Sequence, residues 1–63
     1  MKKYTVNVYI TDTKTNKTAL GETFEIEAED KGMADDIALE MLEAKGYDAF
    51  DIFFTLRDIV EVA

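Results

Sequence analysis

The chain has 63 residues and a formal net charge of −7, from 14 acidic and 7 basic residues, and it contains neither cysteine nor histidine. This length permits one small core, which cannot rely on disulfides or on zinc bound by thiolates and imidazoles. The excess of carboxylates argues against nucleic acid and anionic membranes as direct partners, because like charges repel. A protein with a basic surface is the partner that this charge favours.

The N-terminus and the hydropathy predict a cytoplasmic protein. Lys2 and Lys3 precede alternating residues and not the unbroken apolar run of a signal peptide. No apolar stretch approaches the ~20 residues that a membrane span needs. We therefore expect one soluble domain, residues 1–63, with no membrane partner.

Two stretches near the N-terminus alternate between apolar and polar residues, which predicts two strands with one buried face each. The first runs from Lys3 to Asp12 and the second from Glu22 to Ala28. The residues between them, Thr13 to Gly21, are rich in threonine, lysine and asparagine and predict a long hairpin loop. The expected core residues are Tyr4, Val6, Val8, Ile10, Phe24, Ile26 and Ala28.

A helix is predicted next, because apolar residues between Lys31 and Lys45 recur at the spacing of one helical face. Asp30 is a favourable N-cap residue, and Gly46 is placed to end the helix. The buried face is expected to hold Ala34, Ile37, Ala38, Met41 and Leu42. The opposite face carries Asp35, Asp36, Glu40 and Glu43.

From Ala49 onward the sequence alternates again, which predicts one long third strand with a bend, bulge or short turn near Arg57 and Asp58. In this interpretation Phe53 and Ile59 point to the sheet face away from the helix. The residues expected to face the core are Phe50, Ile52, Phe54, Leu56, Val60 and Val62.

The predicted element order is strand, strand, helix, strand (ββαβ). A right-handed crossover places the third strand beside the first and antiparallel to it. The expected fold is therefore α+β, with one helix packed on one face of a three-stranded antiparallel sheet of order 2-1-3.

Side chains suited to catalysis are scarce. Without histidine, cysteine or serine, the common nucleophile and base pairs cannot form. Neighbouring carboxylates, such as Asp35 with Asp36 or Asp48 with Asp51, need a cleft to act as general acids, and this fold is not expected to provide one. The loop 12–16 lacks the glycine and the distal glutamate of a calcium-binding loop. We therefore expect no enzyme activity, no cofactor and no metal.

The acidic residues are unevenly distributed, since all except Asp12 lie from Glu22 onward. Solubility of a small domain would account for this. The alternative is that an acidic side steers the protein to a basic groove that otherwise holds DNA or RNA. The carboxylates predicted to contact such a partner are Glu25, Glu27, Asp35, Asp36, Glu40 and Glu43.

Apolar side chains predicted outside the core offer a second kind of contact. Leu39 lies on the acidic side of the helix, and Tyr9 and Phe53 are expected on the open sheet face, on neighbouring strands. An aromatic pair of this kind, or a free strand edge, is suited to bind a partner or a second subunit.

A pattern in the middle of the chain is shared with a known group of proteins. It consists of FEIEAED at residues 24–30, Ala34, Ile37 and Ala38 in the helix, and Gly46 before an alternating last strand. From about Lys3 to Leu56 the chain resembles small acidic proteins of bacteriophages and other mobile elements. It is most similar to phage inhibitors of host RNA polymerase. The resemblance implies a ββαβ fold and a polymerase partner, but it carries over no functional residue; anti-restriction and anti-CRISPR proteins are similar in size and charge.

The leading hypothesis is a phage or mobile-element protein that occludes a basic surface of a host nucleic-acid enzyme, either RNA polymerase or a CRISPR nuclease. The alternative is an assembly module that forms a homodimer through the open sheet face or a strand edge. Salt separates the two, because it weakens electrostatic binding and leaves hydrophobic dimerisation intact.

Overall fold

The computed structural model describes residues 1–62, in which three strands form one antiparallel sheet of order β2-β1-β3. A helix packs on one face of this sheet, so the predicted α+β fold and strand order are confirmed. The last residue of the predicted third strand, Ala63, lies outside the described residues. In chain order the elements are β1 (Lys2–Asp12), β2 (Lys17–Ala28), α1 (Lys31–Ala44), α2 (Ala49–Phe53) and β3 (Thr55–Val62).

The core lies between α1 and the sheet. The alternating residues of β1 and β2 and the helical stripe of α1 fill it, as the sequence predicted for these three elements. Ile10, Ile37 and Met41 are partly buried against it. Its buried side chains are Tyr4, Val6, Val8, Phe24, Ile26, Ala28, Ala34, Ala38 and Leu42.

Both ends of α1 are capped at the residues that the sequence predicted. The Asp30 carboxylate accepts a 2.8 Å hydrogen bond from an amide of the first turn, which satisfies a donor that the helix leaves free. Gly46 adopts a left-handed φ of 101°. The amides of Gly46 and Tyr47 donate to the carbonyls of Glu43 and Leu42 at 3.0 and 3.1 Å. These two bonds form a Schellman ending.

The hairpin loop is shorter than the predicted loop from Thr13 to Gly21, because only residues 13–16 separate the two strands. Asn16 turns the chain with a φ of 57°, a conformation that asparagine tolerates. Beyond it, the Thr18 hydroxyl shares a 2.8 Å hydrogen bond with that of Thr11 across the strands. The prediction was wrong here because threonine suits an exposed strand as well as a loop.

A β-bulge lies at Gly21, where the hairpin loop was predicted to end. The register between β1 and β2 shifts between Val8 and Tyr9 and leaves Gly21 without a partner. A Cβ atom at Gly21 would overlap the side chain of Ile10. A residue with a Cβ atom at position 21 would therefore require the Ile10 side chain to shift.

The prediction of one long third strand is wrong for its first residues. Ala49–Phe53 form the short helix α2, whose N-cap Asp48 accepts a 2.8 Å hydrogen bond from the amide of Asp51. Phe53 therefore lies on α2 and not on the open sheet face. The chain breaks at Phe54, before the strand begins, and not at the bend predicted near Arg57.

The predicted phase of the third strand is also wrong. Ile59 is opposite the buried Val6 and faces α1, whereas Leu56 is opposite Tyr9 and faces away from it. A shift of one residue exchanges the two faces of a strand. Val60 therefore lies on the open face too.

A membrane-spanning helix needs a length and an apolar character that none of the helices within residues 1–62 combines.

Candidate functional site

The predicted acidic residues of α1 do not form a single group, because Asp35 turns toward β3. Its carboxylate accepts two hydrogen bonds from the guanidinium of Arg57, which also donates to the Thr55 hydroxyl at 2.9 Å. The side chains of Asp35 and Arg57 are only 29% and 22% exposed. This pair joins α1 to β3, so Asp35 has a structural role.

The outer side of α1 carries an acidic stripe, which we define as Asp36, Glu40 and Glu43. The three residues follow the i, i+4, i+7 spacing and all are exposed. Among residues 1–62, no lysine or arginine forms an ion pair with any of them. Asp36 and Glu40 repel each other, at a cost of about 0.2–0.5 kcal/mol in an isolated helix. The fold leaves this charge uncompensated.

The remaining predicted carboxylates, Glu25 and Glu27, lie on the open face of the sheet. They are opposite Thr5 and Lys3 on β1, and the Thr5 hydroxyl donates to Glu25 at 3.2 Å. The sheet separates them from the acidic stripe. The structure therefore distributes the six predicted carboxylates over two opposite surfaces and one internal ion pair.

An ion pair joins the end of α1 to β2. The Lys45 ammonium donates a 2.8 Å hydrogen bond to Glu22 and lies 5.6 Å from the centre of the Phe24 ring. This hydrogen bond lowers the pKa of the Glu22 carboxyl below its usual value, and the same bond raises the pKa of Lys45. The pair holds the C-terminal end of the helix against the sheet.

An aromatic cluster on and beside α2 is a surface feature that the sequence did not predict. It consists of Phe50, Phe53 and Phe54, whose ring centres lie 4.9 Å (Phe50 to Phe54) and 5.3 Å (Phe53 to Phe54) apart. All three rings are exposed, and Phe53 most of all, at 81%. Asp48 and Asp51 lie in the same short segment. Capping by Asp48 was the sequence signal that could have revealed α2.

A groove of about 280 Å³ lies between α2 and the β1–β2 hairpin. Ile10, Phe50 and Phe54 provide apolar walls, and Asp12 and Asp51 provide carboxylates. The aromatic cluster therefore combines exposed rings with a shallow depression and adjacent negative charge. Exposed aromatic rings are enriched in contact surfaces for proteins, whereas carboxylates are depleted there.

The open face of the sheet carries a second apolar surface. Leu20, Tyr9 and Leu56 form one row across the three strands, and Val60 and Val62 continue it along β3. The predicted aromatic pair of Tyr9 with Phe53 is not present, because Phe53 left the sheet with α2. Leu20 and Leu56, on the strands to either side, are the residues opposite Tyr9 instead of Phe53.

Leu39, the apolar residue predicted on the acidic side of α1, is partly buried. It lies one helical turn after Asp35 and so on the side of α1 that faces β3. Its position makes it a neighbour of the ion pair between α1 and β3, and it borders the outer acidic stripe, because Asp36 and Glu43 lie one helical turn before and after it.

No group of three or more acidic side chains within residues 1–62 is arranged to hold a metal ion.

Comparison with known proteins gives no relative: no family model matches the chain, and no curated protein or solved structure matches it significantly. The resemblance to phage inhibitors of RNA polymerase stays a prediction.

Proposed function

We propose that this chain is a non-catalytic protein-binding module that occludes a basic surface of a host nucleic-acid enzyme in the cytoplasm, as a phage or mobile-element inhibitor does. The observation that carries the proposal is the acidic stripe on α1. Asp36, Glu40 and Glu43 are exposed, aligned and without ion-pair partners among the described residues. Their charge is free to attract a basic surface.

Electrostatic steering is the first part of the proposed mechanism. A net charge of −7 on 63 residues produces a long-range attraction to a basic cleft, and such attraction accelerates association by factors of about 10 to 1,000 at low salt. The stripe has an axial length of about 10 Å, from the rise of 1.5 Å per residue over seven residues. A row of carboxylates of this length competes with nucleic-acid phosphates for the same lysines and arginines.

Apolar anchoring is the second part. Charged groups set the rate and orientation of binding, whereas buried aromatic side chains supply most of the affinity in protein interfaces. The aromatic cluster provides such side chains, and α2 contacts α1. In this mechanism the acidic stripe attracts the target enzyme, and Phe53 enters an apolar depression on the surface of that enzyme.

The proposed targets are RNA polymerase and a CRISPR nuclease. Both classes of enzyme hold nucleic acid in positively charged channels. An acidic protein bound at the channel would exclude the nucleic acid without any chemical step. This explains how a chain with no histidine, cysteine or serine can block a much larger enzyme.

Purified bacterial RNA polymerase and a purified Cas9-type nuclease are the probes for the test, with affinity and inhibition both measured. One triple variant, Asp36→Asn with Glu40→Gln and Glu43→Gln, neutralises the acidic stripe. The matched control, Glu25→Gln with Glu27→Gln and Asp58→Asn, removes the same charge from the open sheet face. We expect the first variant to bind the target about tenfold more weakly, from about 0.5 kcal/mol per exposed charge, and the second to bind almost normally.

Three outcomes would contradict parts of the proposal. Equal loss in both variants would show that total charge matters and the acidic stripe does not. Affinity that stays constant between about 0.1 M and about 1 M salt would remove the electrostatic mechanism. Failure of the wild-type chain to bind either enzyme at low salt would exclude both proposed targets.

A further inference from the structure

The outer edge of β3 is open. Within residues 1–62, β3 pairs with β1 alone and forms one end of the sheet. Its sequence, TLRDIVEV, lacks the proline and lysine that protect many such edges, and its three charged side chains are of both signs. Backbone N–H and C=O groups along this side are therefore available to another strand.

We propose that β3 binds β3 of a second copy, antiparallel, about a two-fold axis at Ile59. The two sheets then become one six-stranded sheet, and α1 of each copy lies on the same face of it. The proposal is independent of the acidic stripe and of the aromatic cluster. It stands on the self-complementary sequence of the edge strand.

The hydrogen-bonding pattern restricts where the axis can lie. Alternate residues of an antiparallel strand direct their backbone groups to opposite sides. The backbone groups of one alternate set of β3 residues already bind β1. Those of the other set must therefore pair with the same set of residues in the second copy. This condition is met only when the axis passes through a residue and not between two residues.

An axis at Ile59 gives favourable neighbours along the strand. Arg57 is then opposite Glu61 of the second copy, and Leu56 is opposite Val62 of the second copy. Symmetry repeats each pair, so two pairs of opposite charge and two apolar pairs form, beside two pairs of Asp58 with Val60. Directly opposed side chains lie about 4.5–5.5 Å apart at Cβ, close enough for both kinds of contact.

Arg57 retains the donors that such a pair needs. Its Nε and one terminal nitrogen bind Asp35, and the other terminal nitrogen binds Thr55. A guanidinium has five N–H donors, so two are still free. Glu61 is exposed and has a single, long contact of 3.9 Å with Lys2. Its carboxylate is therefore able to reach Arg57 of the second copy.

Neighbouring axis positions give less favourable pairs. An axis at Asp58 places that carboxylate opposite itself, and an axis at Arg57 does the same for two cations. An axis at Val60 pairs no opposite charges and places Glu61 and Asp58 opposite the apolar Ile59 and Val62. Ile59 is therefore the position within the strand that both pairs opposite charges and avoids opposing like charges.

The dimer also enlarges the apolar surface of the open sheet face. Leu56, 65% exposed in the single chain, gains an apolar neighbour in Val62 of the second copy. On the other face, Leu39 lies on the β3 side of α1 and so toward the second helix. Both features place partly exposed apolar side chains near the joined edges.

Salt dependence distinguishes this dimer from the proposed inhibitor function. Two copies with a charge of −7 each repel, and raising the salt from about 0.1 M to about 1 M shortens the Debye length from about 10 Å to about 3 Å. We therefore expect dimerisation to strengthen with salt, whereas binding to a basic enzyme weakens. Failure of one proposal leaves the other unaffected.

Cysteine cross-linking tests the register, because the natural chain has no cysteine. We expect Ile59→Cys to form a symmetric disulfide under mild oxidation, since Cα atoms of opposed residues lie within the 4.4–6.8 Å that a disulfide allows. Leu56→Cys is the matched control on the same strand. Its two copies are offset by about six residues, roughly 20 Å, and should stay reduced.

Sedimentation of the wild type and of two charge variants completes the test. We expect Glu61→Arg, which places two cations opposite each other, to raise the dimer Kd about tenfold, and Glu29→Arg, outside the strand, to leave it equal or lower. A wild type that stays monomeric up to about 1 mM at high salt would overturn the dimer. Cross-linking that is equal for Ile59→Cys and Leu56→Cys would overturn the register.

Discussion

Arg57, in the middle of β3, donates two hydrogen bonds to the carboxylate of Asp35 in the second turn of α1. The pair connects residues 22 positions apart in the chain. It favours the observed face of β3 toward the helix, because the guanidinium reaches Asp35 from that side. Ile59, on the same face, packs against the core and favours the same phase of the strand.

Removal of the Asp35 charge tests this role. We expect Asp35→Asn to lower the free energy of unfolding by about 1 kcal/mol, since Arg57 would keep its charge in a partly buried position without a counter-charge. Urea unfolding followed by circular dichroism measures the change. The control is Asp36→Asn, on the exposed side of α1, which should alter stability by less than about 0.5 kcal/mol. Equal effects of the two variants would remove the structural role of the pair.

The end of α1 depends on glycine at position 46. Its φ of 101° disfavours any residue with a Cβ atom, so we expect Gly46→Ala to destabilise the protein by about 1 kcal/mol. Gly32→Ala, in the first turn of the same helix, is the control. There alanine favours the helix, and stability should stay constant or rise. Thermal unfolding of both variants gives the comparison, and a loss at Gly32 as large as at Gly46 would contradict it.

The ion pair of Glu22 and Lys45 predicts a pH dependence at both extremes. Because the pKa of Glu22 is lowered in the folded state, its contribution to stability is present above the usual value of 4.5 and is lost as the pH falls below it. Because the pKa of Lys45 is raised, its contribution is complete below 10.5 and is lost as the pH rises further.

An NMR titration of the Glu22 side chain measures this coupling. We expect Lys45→Gln to raise the midpoint of the Glu22 titration toward its usual value, since the hydrogen bond from Lys45 is the main cause of the lowered pKa. Lys31→Gln, at the other end of α1, removes the same charge and should leave the midpoint unchanged. A midpoint that does not respond to Lys45→Gln would exclude the ion pair in solution.

The aromatic cluster predicts a separation of stability from binding. Phe53 is 81% exposed, so Phe53→Ala should leave the free energy of unfolding within about 0.5 kcal/mol of the wild type. Its affinity for the enzyme target should fall by about 2 kcal/mol, or about thirtyfold, as for a central aromatic contact. Leu20→Ala, an exposed apolar change on the open sheet face, is the control and should bind normally. Normal binding by Phe53→Ala would exclude the cluster as an anchor.

The two long strands and α1 could be predicted because each has enough residues to show a hydrophobic period. Tyr4, Val6 and Val8 alternate over one strand, and Ala34 and Ala38 repeat over a helix. A pattern of this length favours one orientation, which buries most of its apolar residues. Asp30 and Gly46 then mark the ends of α1 through local geometry alone.

The segment before β3 could not be predicted in the same way. Five residues are too few to show a helical period, and phenylalanine and isoleucine favour strands in isolation. Residues 49–53 nevertheless form a helix, since Asp48 caps them and the partly buried Ile52 packs against the core. The separation of the six predicted carboxylates has a related reason. Net charge can be summed from the sequence, but the surface on which each carboxylate lies depends on the fold.

The sequence by itself determined the acidity, the strand order and the capped helix, since these follow from composition, the right-handed crossover rule and local hydrogen bonding. Tertiary structure decided the phase of β3, to which the pair of Arg57 with Asp35 and the packing of Ile59 contribute. The placement of Phe53 on a helix depends on both levels, since Asp48 caps α2 locally and Ile52 packs against the core. The physical reason is that a strand with apolar residues on both faces, such as Ile59 and Val60, can bury either one until a partner across the fold selects it.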